Sequence, residues 1–260
     1  MADPTLRQHL LDTRICGDVA TSRQENLRNF QRMLDRRREY DFGLTLGRAD
    51  WTRDEVLDVM HRLCGVHPDP AFDHGQDTID VDLTLAALDV VRDRLALAAE
   101  RRERVLVATG HPTGILVIHL SVVAALRAAG AGVLVTAPDW TLPWETDNDW
   151  TRKRPRHVRC VNGVHVFAAG GELLHTHLAE PMQAVLGALD APPDLVFADH
   201  GWAGAAAEAG IETLAFADCN DPALFVAQDE GRPVVTVGLD DNVLPHLYDP
   251  LSAHLTSWGH

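Results

Sequence analysis

From Arg104 onward, short and wholly apolar runs alternate with longer segments that are apolar on one side. The runs are Val105–Thr109, Gly132–Thr136, Val164–Ala168, Leu173–His175, Leu195–Ala198, Leu214–Ala217 and Val234–Val237. An apolar run of this length, bounded by turn residues, reads as a strand buried on both faces. Between the runs lie Ile115 to Ala129, closed by Gly130, and the Ala-rich stretch Trp202 to Gly210. Both read as helices that end at glycine. This alternation predicts an α/β fold, a three-layer Rossmann-like parallel sheet.

The pattern before Arg104 has a different period. Leu6, Leu10, Leu11, Leu27, Phe30 and Leu34 recur at helical spacing, with a break near Gly17. A helix is predicted over Thr52 to Leu63, because Thr52 and Glu55 have the spacing of a capping box. Residues 65–78 hold prolines, glycines and aspartates and read as loop. A long helix then starts at Asp80 or Asp82 and runs to about Arg102. The prediction is a helical N-terminal region, 1–103, integrated with an α/β core, 104–260.

One phrase occurs twice in the core. Leu195-Val196-Phe197-Ala198-Asp199 leads into His200-Gly201, and Leu214-Ala215-Phe216-Ala217-Asp218 leads into Cys219-Asn220-Asp221. Each reads as a strand with an aspartate at its carboxyl tip, where ligands bind in open parallel sheets. If the strands are neighbours, their tips lie about 5 Å apart. Two carboxylates at that distance call for a proton or a cation between them. Asp199, Asp218 and Asn220 are therefore candidate ligands for a divalent metal. Oxygen donors favour Mg²⁺ or Mn²⁺, and a nearby histidine admits Co²⁺, Ni²⁺ or Zn²⁺. Asp221 precedes Pro222 and has a simpler reading as a helix cap.

Three other segments carry candidate chemistry. Thr109-Gly110-His111-Pro112-Thr113-Gly114 joins a strand to a helix, so Gly110, Thr113 and Gly114 either cradle an anion with backbone amides or make an ordinary tight turn. His175 and His177 alternate at a strand end and would share a face there. Leu239-Asp240-Asp241-Asn242 follows the last strand, which places Asp241 as either a site residue or part of a plain turn. Residues 138–163 break the rhythm with Trp140, Trp144 and Trp150 among acids, then a basic run. They read as a substrate loop, a surface insertion or a dimer contact. The nucleophile elbow G-x-S-x-G and the cysteine-phosphatase loop are missing. Asp80-Val81-Asp82-Leu83-Thr84 copies an aspartyl-phosphatase motif without its preceding strand, so capping explains it better.

Charge and cysteine content narrow the partners. A formal charge of −15 argues against general nucleic-acid binding. The four cysteines form no C-x-x-C, which fits a reducing cytoplasm. The first residues hold Asp3, Arg7, Asp12 and Arg14 without an apolar run, and His119 and Arg127 interrupt the most apolar stretch. No membrane partner and a cytoplasmic location are expected.

Several segments resemble a known family. They are Arg14 to Thr21, Gly75 to Asp80, Ala108 to Pro112, Ala198 to Gly204 and Ala217 to Leu224. In order along most of the chain they are similar to an actinobacterial phosphatase family, the one that includes validoxylamine A 7′-phosphate phosphatase. The resemblance implies hydrolysis of a phosphate monoester on a sugar-like or cyclitol-like molecule. A looser similarity of pattern is to the metal-dependent damage-control phosphatases.

The mechanism expected on this basis is that of a metal-dependent phosphomonoesterase. Asp199, Asp218 and Asn220 hold the cation, and loop 110–114 holds phosphoryl oxygens. His111, His200 or His175 protonates the leaving alcohol, and His177 and Asp241 contact substrate. Asp199 acting as nucleophile is the open variant. A non-catalytic Rossmann-like binder of a phosphorylated ligand and a sugar-phosphate isomerase are the alternatives. The partner is a small-molecule phosphate ester, with a homodimer left open.

Overall fold

Full burial marks the interior strands of the core. β9 (Leu195–Asp199) and β10 (Thr213–Ala217) are buried at every residue and occupy central positions. In the computed structural model, which describes residues 4–142 and 154–258, the main sheet runs β11-β10-β9-β3-β7-β6-β5. Here β3 is Arg104–Thr109, β5 Thr141–Leu142, β6 Arg156–Val161, β7 Val164–Ala169 and β11 Val234–Gly238. The five strands from β11 to β7 are parallel. Short β4 (Gly132–Val133) adds to β3, and β8 (Glu172–Leu174) adds to β7. The carboxyl tips of the five parallel strands therefore face one way, as alternating strands and crossovers require.

Helices cover this sheet. α4 (Val81–Arg101) packs on β11, and α5 (Leu116–Ala128) on β3 and β7. α7 (His200–Glu208) packs on β9 and β10, and α8 (Pro222–Asp229) on β10 and β11. The capping box forms at α3 (Arg53–Cys64), where Thr52 and Glu55 exchange hydrogen bonds. Asp80 caps α4 by accepting from the amides of Asp82 and Leu83. That accounts for the aspartyl-phosphatase look-alike as a helix start. Among the described residues no helix is long and apolar enough to cross a membrane.

Two expectations change. The sheet is mixed, because β6 and β8 both run antiparallel to β7. Each joins β7 through a two-residue turn. Asn162 (φ 50°) and Gly163 (φ 103°) make one, and Gly170 (φ 60°) begins the other. Asn-Gly with both φ positive is the tight hairpin that matches strand twist, so no crossover helix is needed. The N-terminal region also contains strand: β1 (Gly17–Ser22) pairs antiparallel with β2 (Gln76–Ile79), within segments read as helical or loop. β1 has one buried residue in six, so its alternation is weak in the sequence. A buried ion pair anchors the pairing. The Arg23 guanidinium lies 2.8 Å from the Asp77 carboxylate, and both side chains are fully enclosed.

The N-terminal region is tied to the core by hydrogen bonds across its end. The Asp240 amide donates to the Ile15 carbonyl at 2.9 Å, and Thr84 Oγ1 donates to the Gly238 carbonyl at 2.7 Å. These contacts hold β1 over the carboxyl tips of β10 and β11. Of the aromatic–charged segment 138–163, residues 143–153 lie outside the described part, with Trp144, Trp150 and the start of the basic run. Trp140 packs near Phe167, at 6.3 Å between ring centroids.

Candidate active site

The carboxyl tips converge on a cavity of about 650 Å³. β3 contributes His111 and Thr113, β10 contributes Asp218, Asn220 and Asp221, and β11 contributes Asp240 and Asp241. His200 enters from the first turn of α7. His175 and His177 sit just beyond β8, in a segment that crosses the β3 tip, where the Thr176 amide donates to the Gly110 carbonyl at 2.8 Å. They do not share a strand face as expected, yet their Nε2 atoms meet at 3.0 Å. Thr21 of β1 closes the far wall, its hydroxyl donating to Asp218 Oδ2 at 2.6 Å.

Register separates the two Phe-Ala-Asp aspartates. Phe216 lies opposite Asp199, so Asp218 stands two residues further out, about 7 Å along the strand direction. Asp199 is left behind the cavity wall and fully buried. Its Oδ1 accepts from the Gly110 amide at 2.6 Å and from His200 Nδ1 at 2.7 Å. Its Oδ2 has no hydrogen bond and lies 3.5 Å from His119 Nε2. The structure groups Asp218 with Asp240 and Asp241, within ligand distance of one another, and Asp199 is in none of the ligand groups among the described residues. The expected Asp199–Asp218 pair is therefore not brought together in one ligand group. Asn220 lines the cavity.

Asp199 fixes a histidine instead. With Nδ1–H of His200 pointing at Asp199, Nε2 is aimed into the cavity, 3.4 Å from both Asp221 Oδ2 and Asp241 Oδ2. His200 holds φ at 47°, a left-handed conformation costly for a side chain that size and concentrated at functional sites. Its neighbour Gly201 is needed because a Cβ there would strike the backbone of His177 and Leu178. His177 is fixed in the same manner, its Nδ1 held at 2.9 Å by the Glu39 carbonyl. A ring nitrogen tied to a carboxylate or carbonyl, with the other turned towards the cavity, is the arrangement of metal-ligating histidines.

Charges in the site are strongly coupled. Burial opposes ionisation of His200, but the hydrogen bond to Asp199 and the charges of Asp221 and Asp241 outweigh it and lift its pKa to about 10. Burial also raises Asp199, and the His200 contact overcomes it, leaving about 2. Asp221 rises to about 7 through burial and the Asp241 charge, His200 only partly offsetting them. Asp218 rises well above the usual carboxylate range through burial and its neighbours Asp241 and Asp240. Burial and the His200 charge lower His175 to about 4, so that ring stays neutral.

The Gly110–Gly114 loop serves packing. The amides of Gly110, His111, Gly114 and Ile115 are all bonded within the protein. A Cβ at Gly110 would strike the Thr176 carbonyl, and one at Gly114 the Asp241 carbonyl. Thr113 is the loop's polar contribution to the cavity wall besides His111. Asp221, expected to cap α8, stands at the N-cap position without a side-chain cap bond, and its carboxylate turns inward. Asp221, Asp240 and Thr21 are the site residues that sequence reasoning passed over. The aspartate after each of three adjacent strand tips was the available signal.

The carboxyl tips of the sheet gather carboxylates and imidazoles around one cavity, and comparison with known proteins supplies the class. A model of the family described as Phosphatase matches residues 1–258, and the chain belongs to that family. It is 44% identical, over 255 residues, to the protein named Phosphatase SCO2771 of Streptomyces coelicolor (strain ATCC BAA-471 / A3(2) / M145). The match covers 96% of this chain and 93% of that relative. The protein is a phosphatase, which sets aside the non-catalytic binder and the isomerase.

Proposed function

We propose that this phosphatase is a metal-dependent phosphomonoesterase acting on a small polyhydroxylated phosphate ester. The observation that carries the metal role is a set of buried ligand atoms at the cavity that make no hydrogen bond. Asp221 Oδ1, Asp241 Oδ2 and His111 Nδ1 make no hydrogen bond, although their residues are at most 6% exposed. His111 Nδ1 is 3.2 Å from Asp241 Oδ1 but lacks hydrogen-bond geometry. Unpartnered buried carboxylate oxygens are costly, and a divalent cation satisfies several at once.

His175, His177, His200, Asp218, Asp221, Asp240 and Asp241 form the donor set. A cation held there supplies Lewis-acid polarisation of a phosphoryl oxygen and a more acidic bound water. The mixed nitrogen and oxygen donors favour Mn²⁺, Co²⁺, Ni²⁺ or Zn²⁺ over Mg²⁺. Asp199 orients His200 rather than acting as nucleophile, since its oxygens lie behind that ring. His111, whose pKa is raised by the Asp241 carboxylate against the effect of burial, is the group that protonates the leaving alcohol. Thr21, Thr113, Asn29, Asn220 and Asn242 line the cavity with hydroxyls and amides suited to a sugar-like or cyclitol-like substrate. The scaffold is read as a three-layer, Rossmann-like core with residues 1–103 as its helix-rich cover.

The test is hydrolysis of sugar and cyclitol phosphates by protein stripped with a chelator and then resupplied with single metals. Loss of activity on stripping and recovery with Mn²⁺ or Zn²⁺ is the expected result. Full turnover in excess chelator would remove the metal from the mechanism.

A further inference from the structure

The candidate ligands fall into three overlapping groups: His175, His177 and His200; His200, Asp221 and Asp241; and Asp218, Asp240 and Asp241. Their overlaps limit how many ions they can hold. His200 has one free nitrogen, because Nδ1 is committed to Asp199, so it can serve one ion only. The first and third groups share no residue and can be filled together. Asp241 has two carboxylate oxygens and reaches both ends, lying 3.4 Å from His200 Nε2 while grouped with Asp218 and Asp240. We propose that the cavity holds two divalent cations side by side, one on the imidazoles of His175, His177 and His200, the other on Asp218, Asp240 and Asp241, with Asp241 as the bridging carboxylate.

The spacing of the donors supports this. Bonds of about 2.0–2.1 Å place neighbouring ligand atoms about 2.9 Å apart around an octahedral ion and about 3.4 Å apart around a tetrahedral one. His175 Nε2 and His177 Nε2 are 3.0 Å apart, and His200 Nε2 is 3.4 Å from the Asp221 and Asp241 oxygens. The second, independent sign is Asp221 Oδ1, a carboxylate oxygen without a hydrogen bond on a residue 3% exposed. Asp221 lies between the two groups and completes the imidazole site. Two unlike positions give two preferences at limiting metal, Zn²⁺ or Co²⁺ on the nitrogen donors and Mn²⁺ or Mg²⁺ on the carboxylates, while saturating Mn²⁺, which accepts both donor types, fills both. Paired ions of this kind clamp the attacking and leaving oxygens of a phosphoryl transfer.

The inference rests on the metal-dependent reading above, and its test separates the two. Full-length protein is stripped, equilibrated with Mn²⁺, and its bound metal counted, with electron paramagnetic resonance on the loaded protein. Two equivalents and the multiline spectrum of a coupled Mn²⁺ pair are expected. His175→Ala with His177→Ala should bind one equivalent and lose the coupling, and Asp218→Asn with Asp240→Asn should likewise bind one. One equivalent in the wild type, at saturation, overturns the pair while cation-dependent activity keeps the phosphatase reading. No bound metal with undiminished activity overturns both. The wild-type count and spectrum decide the matter even if a double variant fails to fold.

Discussion

Asp199→Asn isolates a charge without disturbing a shape. Asp199 is fully buried, so the replacement must be tolerated inside the wall. Asparagine can keep its oxygen on the Gly110 amide and His200 Nδ1, at 2.6 and 2.7 Å in the native protein. Its amide nitrogen then faces His119 Nε2, the atom 3.5 Å from Asp199 Oδ2. His119 Nδ1 is held at 3.0 Å by the Ile115 carbonyl, which leaves Nε2 free to accept. The variant should therefore fold. What it loses is the charge assistance of the His200 hydrogen bond, the difference between a bond to a charged group and a neutral one, about 1–1.5 kcal/mol. At about 1.4 kcal/mol per tenfold, that is roughly a 5- to 12-fold effect. It sits at the lower end of the about 10- to 100-fold loss of metal affinity that follows removal of an outer partner of a metal-binding histidine. Metal titration of stripped protein and kcat on a chromogenic aryl phosphate measure it. A folded variant within threefold of wild type on both would refute the orienting role of Asp199.

Two further outcomes follow from buried charges. Arg23→Met leaves Asp77 enclosed without its cation and removes the bonds to the Phe72 and Asp69 carbonyls. Denaturant unfolding should show a loss of about 3–5 kcal/mol, and a loss below about 1 kcal/mol would mean the pair is not what anchors β1 and β2. Asp221 contributes a defined part of the pH dependence of the metal-free protein. Its folded pKa of about 7 lies above its ordinary 3.8, so the stability it contributes is complete below about pH 4 and is lost as pH rises through 7. The loss approaches ~4 kcal/mol at its ceiling. Thermal unfolding across that window should show the decline in metal-free wild type, with a flatter profile in Asp221→Asn and in metal-loaded protein. A metal-free wild type as stable at pH 7 as at pH 4 would contradict it.

Much of the core was legible because buried parallel strands leave a continuous apolar signature. Leu195–Asp199 and Thr213–Ala217 are neighbours, as their shared phrase implied. The capping box at Thr52 and the cap at Asp80 were legible because both are local hydrogen-bond patterns. β1 and β2 were not, since their pairing spans about sixty residues and is anchored by an ion pair between Arg23 and Asp77. The antiparallel β6 and β8 were signalled by Asn162-Gly163 and Gly170-Gly171, but the prevailing strand–helix rhythm outweighed those turns.

The sequence by itself determined that aspartates and histidines would gather at strand tips, because each stands directly after an apolar run that must be buried. Membership in a phosphatase family also follows from sequence alone. Only the tertiary structure decided the division of labour. A register that sets Asp199 opposite Phe216 puts one aspartate behind the cavity and the other within it. The inward turn of Asp221, the crossing of His175 and His177 over β3, and the closing of the wall by Thr21 depend on contacts between distant segments. A linear pattern records which face of an element is buried; the angle and depth of each side chain are set by the elements packed around it.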